Sequence, residues 1–580
     1  MVSEAVDTGL RRAPGGRVAA VAPVGYVLLA FGLFAPTWVD PFHRVVGHPG
    51  DTSVFVWSLA WGAHAVTHLQ NPLFTDYMNH PDGVNLMWNT SILLPSILLT
   101  PVTLALGPVF AYNLLATLAL ALSAWVAFVA IRPHVDRVLA AAAGGLLYGF
   151  SPYMVSQSAG HVHVTLALFP PLALILVREA LVTQRRRPVL VGALLGLATA
   201  AQVLTGEEIA ITTVMAAAVL TAWLVVLNRR RVRAHWRHAA VALAAAAVTA
   251  AAVLAVPLAF QFLGPQRFHG EVQAHGIYVT DLLNFVVPDG FQAIAPAPGV
   301  ELSNSFTGNG SEWGAYLGVP LLALLLVTAA WQWRRPVARL AFLTGASLAV
   351  FSLGARLHVA GADTGIRLPY WPIDRLPVLG NILPARLSLF VSLAAAFLLA
   401  MFLDRALTAG PASRRAVAFA VAAVALVPVF PAQPYLSGDA RTPAFFSSRV
   451  AAKVNDGDVL LVAPTNGAGS PDPMLWQADS GMRFRLTSGY FLGPDANGHA
   501  GLGPRASPMS DFLGPLGDGR PAPTLDAPAR GALLAELSLR QVRGVVVGPM
   551  EHRADVLAFF ERLLERPPDD AGEVAAWWLR

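Results

Sequence analysis

The chain has 580 residues, 55% of them apolar and only 13% charged, with a mean hydropathy of +0.55. Soluble domains carry about 25% charged residues, so most of this chain belongs in lipid. The absence of cysteine excludes disulfides, thiol catalysis and thiolate metal sites, and the net charge of +5 is almost wholly arginine, Lys453 being the only lysine.

The first apolar segment, 18–38, follows a short amino-terminal segment, 1–17, that carries Arg11, Arg12 and Arg17. It is too long for a signal-peptide core and lacks a small-residue cleavage site. Ten further segments of spanning or near-spanning length follow at 109–131, 138–156, 163–181, 189–204, 209–227, 239–262, 313–333, 337–353, 383–403 and 416–430. Arginines test this count, because they collect in cytoplasmic loops. With eleven spans, Arg132 and Arg137, Arg185 to Arg187, Arg229 to Arg233, Arg334 and Arg335, and Arg414 and Arg415 all fall on the side of the amino terminus. Segment 91–107 is apolar enough for a twelfth span, but counting it would move every later cluster outside. Pro95 and Pro101 also break it as a regular helix. It therefore reads as a surface element of a long first outer loop, 39–108, which also holds an expected amphipathic interfacial helix at 52–68.

The tail changes character at residue 431. Proline, glycine and aspartate recur, two β-type runs appear at 459–462 and 545–547, and a helix is expected at 554–564. The expected architecture is an all-α polytopic membrane domain, 18–430, with about eleven helices, followed by a small extracytoplasmic α/β domain, 431–580.

Candidate chemistry gathers at the outer rims of the helices. Asp51 follows the turn Gly47-His48-Pro49-Gly50, where water access would keep a general base ionised; it could equally cap the helix that follows. Asp40 competes for the base role, but Val39-Asp40-Pro41 also suits a simple turn. His161 and His163 share the second outer loop, and at a spacing of two they bind one metal jointly only from extended backbone; hydrogen bonding to a substrate is the alternative. Glu207 and Glu208 tip a helical hairpin and need water, a cation or a ligand there. Glu312 before Trp313 can be read the same way, or like them as a solvated cap, and Arg267 and His269 follow the seventh span. Arg386 lies outside, against the orientation rule, and its planar fork suits a phosphate. No phosphate loop, dinucleotide fingerprint or His-Glu-x-x-His is present.

The stretch from Ser91-Ile92-Leu93-Leu94-Pro95 to Gly107, the Tyr148-Gly149-Phe150-Ser151-Pro152 ending, the run Glu312-Trp313-Gly314-Ala315-Tyr316-Leu317-Gly318 and the Pro384-Ala385-Arg386 motif make the layout resemble the polytopic C-type (GT-C) glycosyltransferases, among them protein O-mannosyltransferases and aminoarabinose transferases. The resemblance implies an enzyme of a bacterial plasma membrane that moves a sugar from a polyprenyl-phosphate donor to an envelope glycan, lipid or protein acceptor on the outer face. Asp51 would be the base of an inverting transfer, and Asp40, His161, His163, Glu207, Glu208, Arg267, His269, Glu312 and Arg386 would meet substrates. Relatives often carry a second carboxylate where this chain has His161 and His163. No cofactor and no metal ligand is therefore assigned, although a divalent metal is compatible with the family. Membrane lipids are expected partners and nucleic acid is not. The competing reading is a transporter or flippase for a lipid-linked or polyanionic precursor, which would place binding groups near the bilayer midplane, often in inverted repeats.

Overall fold

The computed structural model describes residues 16–376, 379–408, 411–464 and 472–579. Most of the expected amino-terminal segment, up to residue 15, lies outside them, as does Arg580. Among the described residues, seven helices are long and apolar enough to cross a membrane: Pro108–His134, Val138–Gln157, Val162–Thr183, Glu207–Arg230, His235–Leu263, Pro384–Thr408 and Ala412–Val429. The chain is thus a multi-pass integral membrane protein. Shorter apolar helices, Val21–Leu33, Pro188–Val203, Gly318–Trp331 and Pro336–Ser352, occupy the remaining expected positions. Several helices open on a proline, among them those starting at Pro49, Pro108, Pro188 and Pro336, where the missing N–H costs nothing and the fixed φ is already helical. The helical stretch Glu207–Leu263 kinks at Asn228, the residue before the arginine run, so it folds as two helices back to back.

Segment 91–107 forms two short helices, Leu93–Leu98 and Thr100–Leu106, interrupted at Leu99. Neither is long enough to span. The neighbouring segment departs from expectation. Instead of an amphipathic interfacial helix at 52–68, the chain makes a helix at Pro49–Thr67 that is buried around most of its girth, with Phe55, Val56, Trp57, Leu59 and Trp61 all inside. The partner that covers it comes from the far end of the chain. Helix Asp472–Asp479 packs on it, and Trp57 Nε1 donates to Gln477 Oε1 at 2.6 Å between two buried side chains.

The carboxyl-terminal region holds a four-stranded sheet ordered Ala575–Trp578, Val542–Val547, Asp458–Ala463, Phe484–Leu486. Its two central strands are the expected β runs, lying parallel with Val545 opposite Leu461, and the expected helix appears at Arg553–Leu564. Side chains alternate across a strand, and here the alternation serves two cores. Val459, Leu461, Val545 and Val547 pack with Phe512, Leu533, Phe559 and Phe560 in a core of the region's own. Leu460, Val462 and Val546 belong instead to the large core that runs on through the first loop into the membrane helices. A second link is the strand Arg44–Val46, which pairs antiparallel with Ser437–Asp439, Val45 opposite Gly438.

Candidate active site

Gly47 sets the geometry. It adopts φ +89° and a Cβ there would lie 2.2 Å from the Ala159 carbonyl oxygen, so only glycine lets the first loop close on the second outer loop. The next residue seals the approach, the His48 N–H donating to Ala159 O at 2.8 Å. Helix Pro49–Thr67 then starts with Asp51 in its first turn, directly over Gly160 and His161. Asp51 does not cap this helix, because the N-cap position falls on His48. Its carboxylate is turned outward to side chains. Nε2 of His161 lies 3.1 Å from Oδ2, and Tyr490, from the carboxyl-terminal region, donates to Oδ1 at 2.9 Å.

His161 passes the contact inward. Its Nδ1 lies 2.7 Å from Oε1 of Gln157, one helical turn earlier, and Gln157 Nε2 donates to Glu312 Oε2 at 2.7 Å. A carboxylate accepts only, so the Gln157 amide must turn its NH₂ to Glu312 and its oxygen to His161. Nδ1 of His161 therefore donates, and for Nε2 to donate to an ionised Asp51 the ring carries both protons. Glu312 is held by Arg386 through Nε at 3.1 and 3.2 Å and through Nη2 at 2.6 Å. Nη1 of Arg386 meets Glu208, whose other oxygen accepts the Leu383 N–H at 3.1 Å. A second close approach permits this arrangement: a Cβ on Gly314 would lie 2.6 Å from Tyr153 Cα, so the Glu312 loop docks against helix Pro152–Gln157 only with glycine there.

The result is one continuous polar chain, Glu208–Arg386–Glu312–Gln157–His161–Asp51–Tyr490. Side-chain exposure is lowest in its middle, 8% at Arg386 and 3% at Glu312, is 19% at Glu208 on one side, and climbs through 12% at His161 to 43% at Asp51 on the other. Asp51 is the carboxylate of this chain that an incoming molecule can reach. Partial burial would raise its carboxyl, but the hydrogen bonds and charge of His161, the Tyr490 hydroxyl and the Arg386 charge outweigh it and hold Asp51 below the usual carboxylate range. Burial is opposed in the same way at Glu312, where Arg386, His161 and Gln157 keep the acid ionised. Burial, followed by the Asp51 charge, pushes the Tyr490 phenol up, so it donates rather than ionises.

The other expected residues lie elsewhere. Asp40 pairs with His43 at 2.8 Å on an exposed turn. His163 is buried, its ring centroid 5.3 Å from that of Phe55, and its Nδ1 makes no hydrogen bond. Glu207 neighbours Gln261 rather than Arg386. Arg267 and His269 are exposed, and the His269 ring sits 4.6 Å from that of His499. Arg386, expected to hold a phosphate, turns its guanidinium to two carboxylates. The rings of His161 and His163 are tilted by 76° and do not converge, and among the described residues no group of three or more His, Asp or Glu is arranged to hold a metal. Gln157 and Tyr490 were not anticipated. Spacing could have found Gln157, four residues before His161; nothing local marks Tyr490.

A family described as a domain of unknown function, DUF6311, matches residues 23–376. No curated protein matches the chain. Among solved structures it is similar to the archaeal oligosaccharyltransferase AglB from Archaeoglobus fulgidus, determined in complex with an inhibitory peptide and a dolichol-phosphate, at 13% identity and a TM-score of 0.43, over 92% of this chain and 70% of that one.

Proposed function

The chain belongs to the DUF6311 family, and for this member we propose a membrane glycosyltransferase that moves a sugar from a polyprenyl-phosphate donor to an envelope acceptor on the outer face of a bacterial plasma membrane. The observation that carries the reading is Asp51. It is an ionised, reachable carboxylate fixed through both oxygens at the open end of an otherwise buried polar chain.

In this reading Asp51 takes the proton of an acceptor hydroxyl while that oxygen forms a bond to the anomeric carbon. The bond from that carbon to the phosphate oxygen breaks, and its electron pair leaves with the lipid phosphate. In-line displacement inverts the anomeric centre. Arg386 has its charge shared between Glu208 and Glu312, so its part is to fix the chain behind the base. Phosphate charge falls to the exposed Arg267, beyond helix His235–Leu263. All eleven apolar helices cross the bilayer, with the arginine loops and amino terminus in the cytoplasm and the carboxyl-terminal region outside.

The test is transfer from a panel of short-chain polyprenyl-phosphate hexoses and pentoses by the full chain in lipid nanodiscs. Asp51→Asn keeps size and shape, and a general base predicts a loss on the order of a hundredfold or more in a protein that still folds. Parental transfer by that variant would refute the assignment. The topology fails separately if a reporter fused after Arg580 is active only in the cytoplasm.

A further inference from the structure

The segment carrying Tyr490 is laced to the first loop over its whole length. The Leu486 N–H donates to Tyr77 O at 2.9 Å, and the His80 and Asn79 N–H groups donate back to Leu486 O and Ser488 O at 3.0 and 3.1 Å. Beyond the tyrosine, Asn89 clasps Leu492 twice, accepting its N–H at 2.7 Å and donating to its carbonyl at 3.0 Å. Gly489 lies so close to Met78 that a Cβ would meet its sulfur at 3.0 Å. Between these fixed ends the Tyr490 backbone N–H rests on Met474 Sδ at 3.3 Å, and the phenol reaches Asp51 Oδ1. The strap is thus tied to the first loop on both sides of Tyr490, and the phenol hydroxyl ends on the Asp51 carboxylate.

We infer that Tyr490 is a positioning residue for Asp51, so that the carboxyl-terminal region completes the active site rather than decorating it. The inference rests on Asp51 acting as the base. With His161 holding Oδ2 and Tyr490 holding Oδ1, the carboxylate plane cannot rotate, and the remaining lone pairs face the exposed side where an acceptor hydroxyl arrives. The phenol also stabilises the charged form, so it sets the pH at which the base is lost. The other groups that bear electrostatically on Asp51 are Arg386, Tyr112 and Tyr278, and none of them is hydrogen-bonded to it.

Tyr490→Phe removes one hydroxyl and keeps the packing. In the full-length protein in nanodiscs it is expected to slow transfer by on the order of tenfold to a hundredfold, mainly in kcat, and to move the acid limb of the pH–rate profile up by about one unit. A second readout needs no substrate. Carbodiimides react with protonated carboxyls, and Asp51 is exposed enough to be reached. The pH midpoint of its labelling, read by peptide mass spectrometry, should rise with the variant. An unmoved labelling midpoint overturns the inference whatever the rate does, because a purely structural tyrosine gives that result. The two ideas fail separately: Asp51→Asn at the parental rate removes the base, whereas an inactive Asp51→Asn beside an unshifted Tyr490→Phe removes only the positioning role.

Discussion

The two ends of the polar chain use the same side-chain chemistry to opposite effect. At the inner end Arg386 and Glu312 are buried and Glu208 is largely covered, and the guanidinium spends its hydrogen bonds on the two carboxylates. At the outer end Asp51 has two donors but stands open to one side. A buried, fully satisfied ion cluster specifies structure, and removing one member leaves an uncompensated charge; a half-open carboxylate is free to exchange a proton. Mutation should therefore separate them. Arg386→Ala is expected to cost about 3–5 kcal/mol of stability, seen as lost yield and a lowered melting temperature, and a well-folded variant would break the contrast. Asp51→Asn should do the reverse, with a smaller loss of stability than Arg386→Ala and a rate loss on the order of a hundredfold.

Arg267 sharpens the comparison further. It is an exposed cation after helix His235–Leu263, so on the proposed reading Arg267→Ala should leave the melting temperature unchanged and weaken donor use by roughly tenfold, measured as a raised KM for the polyprenyl-phosphate sugar. The smallest effect belongs to Asp289, a buried acid without the cation that Glu312 enjoys. Burial, only partly offset by the Phe291 N–H, raises its carboxyl to about 7. An acid with a raised folded value costs nothing below its unfolded value and destabilises progressively as pH rises toward the folded one. Asp289→Asn, which keeps the acceptor for Phe291, should raise the melting temperature at pH 8 and leave it unmoved near pH 4. Asp51 and Glu312 have lowered values and act with the opposite sign, contributing stability above the ordinary carboxylate range that is lost as pH falls through their depressed values.

The helices were legible because lipid demands long apolar runs; Pro95 and Pro101 fall in the two short helices that the chain forms at 91–107. The helix at Pro49–Thr67 was misread because its cover, Asp472–Asp479, lies some four hundred residues on. The site shows the same limit. Asp51, His161, Glu208, Glu312 and Arg386 each stood out as polar groups at helix rims, where dehydration is costly. That they form one chain is a property of packing. Glu312 and Arg386 drew attention singly, yet neither sequence context says that each is the other's partner. His163 and Asp40 carried the same kind of signal and fell outside the chain, one against Phe55 and the other on an exposed turn.

The pairing of Arg44–Val46 with Ser437–Asp439 has a consequence in time. A ribosome emits the first of these strands long before the second, so the loop that carries Asp51 must wait, edge unpaired, through the synthesis of nearly every helix between them. Tyr490 arrives later still. The setting of Asp51 is thus completed only at the end of biogenesis, and a chain cut short after its last membrane helix would lack both the Ser437–Asp439 strand and the Tyr490 contact.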